Sequence, residues 1–158
     1  MKYTAEGLMR LAIEKCIAGI DSGQSPFGCA IAQGDRLLAV SHNTVLATTD
    51  ITAHAEVNAV RKACASTNDI FLENAIVATT TEPCPMCMAA LHWARVETVY
   101  FGATIFDAAQ AGFNELQVPA TEIVRLGGSK VRLVSGVLQE ECQELFRRWR
   151  ANPNARSY

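Results

Sequence analysis

Between residues 3 and 22 the apolar positions Leu8, Leu11, Ala12, Ile13, Cys16, Ile17 and Ile20 recur every three or four residues among charged ones, which predicts an amphipathic helix. "SGQSP" at 22–26 stops it. The pattern then changes period. "FGCAIAQ" and "RLLAVSHN" read as two strands, and Gly34-Asp35 between them is a hairpin signal. "AEVNAVRKACAS" returns to helical spacing, "NAIVATT" is a short buried strand, and "CPMCMAALHWAR" is helical again. "ETVYFGAT" follows as a strand, "FDAAQAGF" as a short helix and "KVRLVSGV" as a last strand. "LQEECQELFRRWRA" closes the chain as an amphipathic helix. The order αββαβαβαβα predicts an α/β fold with three layers, α/β/α, around a central mixed five-stranded sheet. Residues 114–129 form the longest stretch without a regular pattern, and long loops tend to carry function.

Composition narrows this reading without changing it. A chain of 158 residues fits one domain, 1–158. Its 49% hydrophobic and 19% charged residues are those of an ordinary globular protein. No apolar run approaches the roughly 18 residues that cross a bilayer. Glu6 and Glu14 in the first segment do not suit a signal peptide, so the expected location is the cytoplasm. There, six cysteines argue for metal, catalytic or buried thiols rather than disulfides. The net charge of −2 argues against nucleic acid as a partner. The one basic concentration, "RRWRANPNARSY", reads as a solvated helix end.

Cys84 and Cys87, taken alone, are open to three readings: a redox pair, half of a zinc site, or packed thiols. A redox pair is expected after the first strand, and this one follows the third. A structural zinc site needs four protein ligands, and no second cysteine pair or spaced histidine pair completes one. A catalytic zinc needs three ligands, and His54 at a predicted helix start is the natural third. Glu56, two residues on, points elsewhere on that helix and is free to act as a base. Pro85 suits a helix start, where the dipole favours the thiolate form.

The combined pattern H-x-E … P-C-x-x-C is the signature of zinc nucleobase deaminases, whose Glu moves protons and is not a ligand. Together with "PFG" at 26–28, "HNTVLATTDITAHAEVNAVRKA" at 42–63 and "EPCPMCMAALHWARVETVYFGA" at 82–103, it makes the chain resemble the cytidine deaminase-like superfamily over most of its length. Trp93, the segment "DAAQAGF" and the final tyrosine are similar to its bacterial guanine deaminase branch. The resemblance implies one zinc per subunit on His54, Cys84 and Cys87, and proton transfer by Glu56. It implies that Glu115 meets the base or assists loss of the amine, that Asn43 contacts the heterocycle, and that Phe27 and Trp93 sandwich it. It further implies a homodimer in which a segment of about 137–158 is exchanged and Tyr158 caps the partner's pocket. The chain departs from the branch at Asn114-Glu115, where Asp-Asp is usual, and at Asp50-Ile51, where Asp-Pro is usual. Cytosine or another amino-heterocycle remains an alternative substrate. A tRNA adenosine deaminase is a more distant alternative, and a zinc-stabilised scaffold would have no need of Glu56. His42, His92, Cys16, Cys29, Cys64 and Cys142 read as structural.

Overall fold

The computed structural model describes residues 3–158. Twelve elements follow in the order α1 (Ala5–Asp21), β1 (Gly28–Gln33), β2 (Arg36–His42), α2 (Val45–Thr48), α3 (Ala55–Thr67), β3 (Ala75–Thr81), α4 (Pro85–Trp93), β4 (Thr98–Ala103), α5 (Ile105–Gln110), α6 (Ala120–Gly127), β5 (Arg132–Val134) and α7 (Gln139–Arg150). The strands form one sheet in the order β2-β1-β3-β4-β5. β1 is antiparallel to both β2 and β3, while β3, β4 and β5 run parallel. The expected mixed sheet is therefore present. Gly34 opens the two-residue turn between β1 and β2 with φ 58°, a value that favours glycine.

Both faces of the sheet are covered, because alternate side chains of its central strands point to opposite sides. Ala30, Ala32, Ile76 and Ala78 pack with Leu8, Met9 and Ala12 of α1 and with Cys142, Leu145 and Phe146 of α7. Cys29, Ile31, Val77 and Val99 pack on the other side with Ala55, Ala59 and Ala63 of α3, Met88 and Leu91 of α4 and Ala120 of α6. The small residues along α3 let its axis lie close to the sheet.

Two expectations change. The irregular stretch 114–129 contains α6, which starts after Pro119 and ends at Gly128 in a left-handed C-cap. A four-residue helix, α2, lies in the segment before His54. Leu138 takes a left-handed φ of 49°, α7 packs on α1 and β4, and Tyr158 lines the cleft. Among the described residues, no helix is long and apolar enough to cross a membrane.

Candidate metal and substrate site

Two helix N-termini converge beside the C-terminal end of β3. His54 is the N-cap of α3 and Cys84 the N-cap of α4, with Pro85 in the first turn and Cys87 following it. Neither residue makes the usual side-chain cap bond, and the two side chains face each other. His54 Nδ1 lies 3.6 Å from Cys84 Sγ and 3.5 Å from Cys87 Sγ. Zinc–nitrogen and zinc–sulfur bonds of ordinary length in a tetrahedron separate N and S by about 3.6 Å. All three donor atoms fall within 4.8 Å of one another, and the set fits a zinc ion with its fourth position open.

Glu56 stands behind this set, 6% exposed. Thr79 Oγ1 lies 2.7 Å from Glu56 Oε1 and 3.1 Å from the Thr81 carbonyl, and the shorter contact assigns its proton to the carboxylate. That leaves Oε2 to face the ligands, 3.5 Å from Cys87 Sγ. Burial, then the nearby Cys84, raise the Glu56 pKa, with His54 and the Thr79 bond opposing. The two thiols split. A hydrogen bond from Cys87 and the His54 ring hold Cys84 down to about 4 against the effect of burial, whereas Cys87, as the donor, is raised.

A cleft of about 270 Å³ opens above, lined by His54, Cys84, Met86, Glu115 and Tyr158 among others. Glu115 is half-buried, and burial followed by the charge of Cys84 raises its pKa to about 7. Asn43, fully buried, accepts from the Val45 N–H through Oδ1 and donates from Nδ2 to the Tyr158 hydroxyl at 2.8 Å. The Asn58 amide, within reach of His42 O, Thr44 Oγ1 and Ala53 O, holds the loop from Asn43 to His54. Phe27 lines the inner chamber with Glu56, Glu115 and Tyr158.

The structure thus brings together His54, Glu56, Cys84, Cys87, Glu115, Phe27, Asn43 and Tyr158, and leaves out Trp93. Trp93 ends α4 at 71% exposure. Nine residues beyond Cys84 at 100° each turn it to the opposite side of the helix, so it cannot stack over the site. Phe113 is buried behind Phe27 and Tyr158, its ring centroid 4.9 Å from Phe27 and 5.1 Å from Tyr158, with Trp149 at 5.0 Å. Sequence reasoning also missed Thr79 and Glu82. The signal for both was the polar run "TTTE" in a strand that pattern alone makes fully buried, since buried polar groups require partners.

Residues 2–103 match the family of the cytidine and deoxycytidylate deaminase zinc-binding region. The chain belongs to this family. A guanine deaminase of Bacillus subtilis is 39% identical over 124 residues, covering 74% of this chain and 80% of that protein. A tRNA-specific adenosine deaminase of the same organism is 34% identical over 134 residues, with 85% and 81% covered. The solved guanine deaminase of Nitrosomonas europaea superposes with a TM-score of 0.86 at 26% identity, covering 94% of this chain and 85% of that one. The fold agrees with the solved structure, and the resemblance to the deaminase superfamily read from the motifs agrees with the family match.

Proposed function

We propose that this deaminase-family member hydrolyses the amine from a free purine base, guanine before others, giving xanthine and ammonia with one zinc per chain. The observation that carries the reading is Glu56, a buried carboxylate with one oxygen facing the His54, Cys84 and Cys87 donors at the floor of a narrow aromatic cleft. The likeness to two guanine deaminases supports the choice of base.

Zinc, when bound, supplies a Lewis acid that brings the pKa of a coordinated water toward neutrality. The chain's own groups do the rest. Glu56 Oε2 accepts a proton at the ligand set and delivers it to the ring nitrogen beside the amine-bearing carbon, a role suited to a carboxyl of raised pKa. Thr79 fixes the other oxygen, so the carboxylate cannot rotate away. The second carboxyl, Glu115, is poised near neutrality to meet the base's N–H edge or to protonate the departing amine. Phe27, backed by Phe113, supplies an apolar wall, and Tyr158 closes the cleft from the side.

Two copies per assembly are part of the proposal, supported by Trp93 and Leu126, each 71% exposed on the neighbouring helices α4 and α6. Light scattering tests it. The activity is tested by ammonia release from zinc-loaded protein with guanine, guanosine, cytosine, cytidine, adenine and a tRNA anticodon stem. Guanine turnover is the expected result. Turnover of the stem with guanine inert would replace this reading by tRNA editing.

A further inference from the structure

Glu82 closes β3's run of polar residues, two positions before Cys84, and is 8% exposed. Its two carboxylate oxygens accept from two different helices. Oε2 takes the N–H of Ile105, the first residue of α5, at 2.9 Å. Oε1 takes the N–H of Ala120, the first residue of α6, at 2.8 Å. The backbone of Glu82 adds a third tie, its N–H donating to Ala103 O at 2.8 Å. Pro119, in the N-cap position of α6, supplies no side-chain cap, so Glu82 takes that role from 38 residues away. Between the two pinned residues runs the segment that carries Glu115 to the cleft.

We propose that Glu82 is a positioning residue, whose carboxylate pins both ends of the segment bearing Glu115 and so sets where Glu115 stands over the metal-ligand set. The proposal rests on the deaminase reading of the site. Glu82 also lines the inner chamber, but each of its oxygens accepts a backbone N–H, and its role in this proposal is to position rather than to transfer protons. Its effect reaches the reaction only through the placement of Glu115. A displacement of an ångström at a reacting group can cost about a hundredfold in rate.

Glu82→Gln conserves volume but turns one acceptor into an amide N–H₂ that meets an N–H. In zinc-loaded protein it is expected to lower kcat for guanine about 10- to 100-fold, with KM changed far less and zinc content unchanged. In a Glu115→Gln background the same change is expected to cost less than about twofold, because the group being placed is already gone. An undiminished loss in that background, or a Glu82→Gln enzyme as fast as the wild type, overturns the proposal. Should Glu82→Gln not fold, hydrogen exchange on the wild-type protein decides. Ile105 and Ala120 amides are expected to exchange at least about tenfold more slowly than that of Gln117, and equal rates refute the pin. A wild type inert toward every base would instead refute the deaminase reading, and the exchange rates would still report on the pin.

Discussion

Gly28 opens β1 where α1 crosses the sheet, and its N–H donates to Thr80 Oγ1 at 3.0 Å. A Cβ at this position would stand 2.1 Å from the Ala12 carbonyl oxygen and 2.9 Å from Cys16 Cβ. Its φ is outside the left-handed region, so Gly28→Ala tests close approach alone, with no backbone strain added. Reaching even a tight contact of about 3 Å requires α1 to retreat by about 1 Å, because a carbonyl inside a helix cannot rotate aside. A gap of that size forfeits a quarter to a half of each affected dispersion contact, and α1 seats Leu8, Met9, Ala12, Cys16 and Ile20 in the core. Overpacking of this kind costs about 3 kcal/mol. For a chain of this length that is a fall in Tm of roughly 6–12 °C. Urea and thermal unfolding followed by circular dichroism measure it, with Gly127→Ala, where the added Cβ meets nothing within 4 Å, as the neutral control. A Gly28→Ala protein within about 0.5 kcal/mol of wild type would mean that α1 does not lie where the structure puts it. Because the Phe27 carbonyl receives the Asn43 N–H, activity should fall with stability.

Glu56→Gln should lower turnover by about 10²- to 10⁴-fold while zinc content, read by atomic emission, stays at the wild-type level; loss of metal would make Glu56 a ligand. In metal-free protein, iodoacetamide at pH 6 should alkylate Cys84 ahead of Cys16, Cys29 and Cys142, whose pKa values burial raises, and zinc should suppress the reaction. In metal-free protein Glu115 contributes a loss of stability as pH rises from about 4.5 to 7, because the folded carboxyl keeps its proton up to about 7 and the unfolded one does not. Cys84, held down to about 4, contributes in the opposite direction, so the Glu115 part is read as the difference in slope between wild type and Glu115→Gln. The half exposure of Glu115 limits its part to about 1–2 kcal/mol, and denaturant titrations at several pH values should show Glu115→Gln losing that part of the slope. Removing residues 150–158 should reduce turnover with zinc retained, and full activity after truncation would discard Tyr158 as the closing residue.

The elements with a clean period were legible in the sequence: α1, the β1–β2 hairpin, β3, α4, β4 and α7 all lie where the pattern put them. So was the ligand set, because cysteines three apart beside Pro85 share one turn of a helix start. Helix α6 was hidden because its cap is a side chain 38 positions earlier, which no local window contains. Trp93 was misplaced by matching a motif without counting helical phase. Phe113 and Trp149 gave no distinct signal, since an apolar ring in a loop and one on a helix look like core until the chain is folded.

The metal-ligand set with Glu56, and the carboxyl and tyrosine that would close on the base, occupy different lengths of chain, with Phe27 and Asn43 on the side of the ligand set. His54, Glu56, Cys84 and Cys87 lie within residues 2–103, the part the family shares, on helix starts clamped to the sheet. Glu115 and Tyr158 lie beyond it, on a strap and a tail that come to the cleft from outside. A division of this kind is modular: insertions, deletions and drift in the last third can recut the pocket without touching the reactive centre. Relatives that share the first part and process different molecules are what such an arrangement leaves behind over evolutionary time, and grafting the last third between them is the corresponding route for an engineer.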